Sequence, residues 1–159
     1  KNLGCRYLTG IDRSKQDVDR ARKLVPEAHI VLGNAWKLPF KRSSFSIVLV
    51  DSVFHILSLS PKPMREIMRV LVSNGYLCFI EPHDSWFRQA FDGLTMSALS
   101  TSVPFLHKRR IVYEKEKPLL DRWFGYEKQF VNSLINAGFQ KIFVKTDLLS
   151  IVGKFQKVI

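Results

Sequence analysis

The chain has 159 residues, 46% of them apolar and 25% charged, which supports one substantial core and is too short for two independent domains. Its formal net charge of +11 attracts anionic partners, but the basic residues are spread out, with clusters only at Lys41 and Arg42 and at Lys108, Arg109 and Arg110; that pattern reads as solvated surface more than as a nucleic-acid footprint. No apolar run is long enough to span a bilayer, KNLGC lacks the apolar core of a signal peptide, and neither Cys5 nor Cys78 belongs to a C-x-x-C pair, so the expectation is a cytoplasmic domain over residues 1–159, without membrane insertion, whose thiols are buried and free.

In chain order, RYLTGID is apolar and β-prone, DVDRARKLV has helical spacing and AHIVLG is a short apolar run, giving strand, helix, strand. Ser14 stands where a helix N-cap belongs, Asp17 three positions later supplies the acidic arm of a capping box, and Pro26 follows the helix. The nearly continuous apolar run FSIVLVDSVF predicts a central strand buried on both faces of a parallel sheet. PMREIMRVLV then places Met64, Ile67, Met68 and Leu71 on one helix face, Asn74 and Gly75 turn the chain, and YLCFIEP is another strand. Residues 83–126 break the rhythm and read as a helix whose Trp86, Phe87 and Phe91 pack the core or form a substrate lid, plus an irregular cover in which Lys108, Arg109 and Arg110 solvate a loop or hold an anionic substrate. A helix over EKQFVNSLINAG ends at Gly138, and FQKIFVKTDL and SIVGKFQKVI form an antiparallel pair. The fold class is therefore α/β, a three-layer open sheet, mostly parallel, closed by a C-terminal antiparallel hairpin.

Ligands of open α/β sheets sit beyond the carboxyl ends of the strands. Asp12 ends the first visible strand, where a carboxylate can accept both hydroxyls of a ribose or cap the next helix. Asn34, in GNAWKLPF, follows the second and offers an amide to a purine, or serves with Trp36 as a turn residue before Pro39. Residues 51–55 follow the third. His55 and His83 are candidate general bases, or hydrogen-bonded structural residues, the commoner role of a lone histidine. The four histidines and two cysteines lack metal-ligand spacing, so no metal site is expected.

The series GIDRS, GNAWKLPF, SFSIVLVDSVFHIL and MREIMRVLVSNGYLCFIEP resembles the class I S-adenosylmethionine-dependent methyltransferases, and most of all the branch that includes the ubiquinone and menaquinone C-methyltransferases. The resemblance implies a Rossmann-like fold and methyl transfer from S-adenosylmethionine to a small-molecule acceptor. By the same resemblance Asp12 binds the cofactor's ribose, Arg13 flanks its adenine, Asn34 meets the adenine amine, and Ala35 and Trp36 close over the ring. Asp51 and Ser52 lie near its methionine end. Asn34 and Ser46 stand where the family usually has Asp, and Ile56 replaces the second of two histidines begun by His55. The glycine-rich loop that the family carries between its first strand and first helix is missing before GID, with that strand, so the expectation includes a sheet that a second copy of the chain can complete. Residues 83–126 would form the cover over the acceptor. Two further readings remain open at this point: a non-catalytic binding or oligomerising module, and an RNA methyltransferase prompted by the charge.

Overall fold

The computed structural model describes residues 7–57 and 60–158; Cys5 and the KNLG segment lie outside them. Strand β1 (Thr9–Asp12), helix α1 (Lys15–Leu24) and strand β2 (His29–Leu32) form a βαβ unit in which β1 and β2 pair in parallel. Helix α1 begins at Ser14, whose Oγ accepts the Asp17 amide at 3.3 Å. The return arm of the cap differs from expectation, because the Ser14 amide donates to Asp12 Oδ1 at 2.7 Å and not to Asp17. From the last turn, Arg22 donates through Nε and Nη2 to the Ile30 carbonyl at 3.0 and 2.7 Å, tying the helix to β2.

A second sheet of four strands carries the core. Its order is β3 (Phe45–Asp51), β4 (Leu71–Pro82), β6 (Ser150–Lys157), β5 (Phe139–Thr146), with β3 and β4 parallel and the other pairs antiparallel. The C-terminal hairpin thus forms as expected. Among the described residues β3 is an edge strand and not a central one. Val50 is buried, but Ile47 and Leu49, on the other face, are 55% and 66% exposed, since only one face of the strand is covered.

Between β3 and β4 lie a short 3-10 turn (Phe54–Ile56) and helix α2 (Pro61–Val70), which buries Met64, Ile67 and Val70. Period-two alternation sends Leu77, Phe79 and Glu81 of β4 inward, opposite Phe155, Gly153 and Ile151 of β6. A Cβ on Gly153 would lie 2.4 Å from Phe79 Cε1, so the empty position is what admits the Phe79 ring.

Residues 83–126 are helical where an irregular cover was expected. Helix α3 (Trp86–Met96) and the single turn α4 (Leu99–Ser102) lead into α5 (Pro104–Asn136), a 33-residue helix that absorbs both the basic proline-containing stretch and the helix expected after it. Pro104 sits in the first turn, where a missing N–H costs nothing, and Pro118 is carried inside. Lys108, Arg109 and Arg110 are therefore helical; Arg109 pairs with Asp92 and Arg110 with Glu114. Trp86 is 72% exposed and makes an edge contact with Phe87, so the aromatic face of α3 is not the core packing that its spacing suggests. The core is filled by Trp123, Phe130 and Leu134 of α5 against Phe54, Phe79 and Phe155. Ala137 caps α5, and Gly138 follows at φ +98°.

Candidate functional site

At the carboxyl end of the four-stranded sheet, Glu81 is 1% exposed. Its Oε1 accepts the amides of Val53 and Phe54 at 2.8 and 2.7 Å, and its Oε2 accepts the His55 amide at 3.3 Å and contacts His55 Nδ1 at 2.8 Å. A carboxylate that only accepts requires the ring to supply the proton, which puts a hydrogen on Nδ1; in the neutral ring Nε2 then carries the lone pair. Ser52 precedes this turn at φ +54°, and its amide donates to the Ile80 carbonyl at 2.8 Å. The turn is thus pinned to β4 from both sides.

A second histidine and carboxylate pair lies just past the end of β4. His83 Nδ1 is 2.6 Å from Glu127 Oε1, whose Oε2 accepts the Asp84 amide at 3.2 Å. Trp123 Nε1 donates to the Pro82 carbonyl at 2.7 Å, which holds α5 over the end of β4. A cavity of about 290 Å³ lies here, lined by Ser52, His55, Ile56, Arg88, Glu116 and Leu149 among others. The turn that brings Leu149 to its wall is organised by Asp147, whose carboxyl is held below its usual range first by the Leu149 amide and then by Ser150. In contrast, burial pushes the Cys78 thiol up; it is half-buried and free.

The residues expected to hold a nucleoside lie on the other sheet and its loops. Asp12 ends β1 and is exposed; Oδ1 accepts the Ser14 amide, and Oδ2 has no partner among the described residues. Arg13 is exposed beside it. Asn34 Oδ1 accepts the Trp36 amide at 3.0 Å, so the oxygen expected to face a purine already closes its own turn, and a second lone pair and the amide nitrogen remain. Ala35 is half-buried and Trp36 is 37% exposed in that turn. Asp51 ends β3 and accepts the Ser52 hydroxyl at 2.9 Å through Oδ1 alone.

A methyltransferase domain model matches residues 1–79, about half of the chain. A demethylmenaquinone methyltransferase from Thermotoga maritima is 32% identical over 102 residues, covering 62% of this chain and 43% of that protein. Among solved structures, a SAM-dependent methyltransferase from Methanosarcina mazei superposes with a TM-score of 0.64 at 20% identity, over 95% of this chain and 82% of that one. Residues 1–79 thus match the methyltransferase domain family, and the chain has the fold of S-adenosylmethionine-dependent methyltransferases. A further family structure, from Aquifex aeolicus, gives a TM-score of 0.65 at 16% identity over 96% of this chain and 69% of that one. The chain spans less than half the length of the curated relatives it matches.

Within this methyltransferase fold, sequence reasoning selected the two histidines but missed their partners. Glu81 was in view in the FIEP motif, and its phase with Leu77 and Phe79 marks it as an inward-facing carboxylate that must have donors around it. Glu127, 44 positions from His83, and the Arg88, Asp92 and Arg109 group carry no such local signal.

Proposed function

We propose that this chain is the part of a methyltransferase that holds the nucleoside of S-adenosylmethionine on the β1 and β2 side and a small organic acceptor in the cavity beside His55. Support for the cofactor comes from unspent acceptors at strand ends, namely Asp12 Oδ2, the Asn34 amide and the free oxygen of Asp51. When bound, S-adenosylmethionine supplies an activated methyl on sulfur, so the protein has mainly to orient an acceptor and exclude water. Asp12 holds the ribose hydroxyls, Arg13 lies along the adenine, and Asn34, Ala35 and Trp36 bound the base. Asp51 and Ser52 face the methionine end.

The observation that carries the reading is the His55 and Glu81 pair at a cavity wall. With its proton fixed on Nδ1, His55 presents Nε2 as a base that takes a proton from the acceptor atom as the methyl arrives. His83, held by Glu127 and not among the residues that line the cavity, is the second candidate base. Residues 83–126, as α3 to α5, form the cover over the acceptor.

The test is calorimetric titration with S-adenosylhomocysteine. Wild type is expected to bind, and Asp12→Ala is expected to lose about tenfold or more in affinity, the scale of a hydrogen bond to a charged group. Unchanged affinity in a folded Asp12→Ala protein refutes the assignment.

A further inference from the structure

The guanidinium of Arg88 lines the cavity beside His55 and is underused. The side chain is 13% exposed, yet among the described residues its one hydrogen bond is a 3.5 Å contact from Nη1 to the Leu149 carbonyl, and the buried Nε has no hydrogen-bond partner there. A buried donor left unpaired is costly, and the guanidinium has further N–H donors that a single 3.5 Å contact does not fill. The nearest carboxylate does not provide one. Asp92 Oδ2 is 3.8 Å from Arg88 Nε, and its Oδ1 is taken by Arg109 Nη2 at 3.0 Å. Two guanidinium groups thus share one buried carboxylate, so this trio carries one positive charge in excess, beside a cavity whose lining also includes Glu81 and Glu116.

Packing fixes where that charge sits. The Arg88 guanidinium carbon is 5.5 Å from the Phe124 ring centroid, and Arg109 lies over Phe91 at 4.6 Å, so both planes are backed by aromatic rings. Of the two, Arg88 is the one at the cavity wall. Glu116, from α5, lines the same cavity and forms no ion pair among the described residues. It repels an anion from its own side, so a negative group entering the cavity is directed to Arg88.

We propose that Arg88 is the specificity residue of the acceptor site and that the acceptor carries an anionic oxygen, such as a carboxylate or an ionised hydroxyl. The inference rests on the acceptor reading given above for this cavity. A guanidinium reads such an oxygen through paired N–H donors, which a lysine at the same place does not reproduce. The anion is thereby anchored at Arg88, with the atom to be methylated turned toward His55 Nε2.

The experiment uses acetate, benzoate and indole-3-acetate, each beside its neutral amide, in NMR titrations of the chain. The Arg88 Nε–H resonance and ligand saturation transfer are read together, and S-adenosylhomocysteine binding is measured separately. The expected result is that at least one carboxylate binds at least tenfold more tightly than its amide and shifts the Arg88 signal. Arg88→Gln removes that preference, and Arg88→Lys restores only part of it. Asp92 keeps Arg109 in either variant, so the fold is retained, which circular dichroism checks. No preference for any carboxylate in wild type, or a preference that survives in Arg88→Gln, overturns the proposal. Such a failure with intact S-adenosylhomocysteine binding leaves the methyltransferase reading standing. Carboxylate binding at Arg88 with no S-adenosylhomocysteine binding would refute that reading and with it the acceptor role, leaving Arg88 as an anion site of another function.

Discussion

At the scale of single residues, the informative group is Glu81, because it serves two purposes with one carboxylate. It closes the backbone of residues 53–55 and sets the tautomer of His55. Glu81→Gln keeps the shape but brings an NH2 where an N–H or the imidazole proton already points, so at least one buried donor loses its acceptor. Stability is expected to fall by about 1–3 kcal/mol, read by urea denaturation. The ¹⁵N shifts of the His55 ring are expected to show Nδ1–H in wild type and a tautomer mixture in the variant. A single unchanged tautomer would mean that the carboxylate does not orient the ring. The histidines themselves were legible in the sequence. Their carboxylates were not, since Glu127 meets His83 only after α5 has crossed the end of the sheet, and no spacing along the chain encodes that crossing.

At the scale of elements, most strands and helix ends followed from the sequence, whereas the edge position of β3, the start of β4 at Leu71 and the long helix did not. The β4 alternation, the Ser14 cap and the Gly138 terminus are local signals written in a few residues each. The part of α5 before Glu127, which carries Pro104 and Pro118, reads in the sequence as an irregular cover. An interior proline usually breaks a helix by removing one hydrogen bond and crowding the carbonyl of the previous turn. Here the tertiary contacts of Trp123 and Phe130 are on the C-terminal side of Pro118 and Leu106 is buried on the other, so both halves are held without that bond. Pro118 is exposed, and its removal opens no cavity. Pro118→Ala should therefore restore the bond to the Glu114 carbonyl and stabilise the protein by about 1–2 kcal/mol, once the extra freedom of the unfolded chain is subtracted. In thermal denaturation that corresponds to a rise of roughly 2–8 °C. A lower midpoint would show that the proline's shape is needed for the course of the helix.

At the scale of the whole molecule, the two sheets are unequally held. All thirteen residues of the core cluster lie between Val50 and Phe155, and Val18 is the one buried residue among 7–45. The βαβ unit is tied to the rest by a polar clasp. Arg69 donates to the carbonyls of Phe40 and Leu38, and Glu66 accepts the Leu38 amide, its carboxyl held below the usual range chiefly by the Arg69 hydrogen bond. Segments with few buried apolar contacts open locally at lower free energy than the core. Hydrogen exchange is therefore expected to be fast across residues 9–32 and slow across residues 71–82 and 150–157. Because the proposed nucleoside ligands Asp12, Asn34 and Trp36 belong to the weaker part, saturating S-adenosylhomocysteine should slow exchange at residues 9–36 while leaving the four-stranded sheet unchanged. A ligand that binds only the closed form adds about 2.7 kcal/mol at a hundredfold excess over its dissociation constant, and the protected segment should gain up to that amount. Equal protection of both sheets without ligand would show that the βαβ unit is integral to the core, and protection gained only in the four-stranded sheet would move the cofactor away from Asp12.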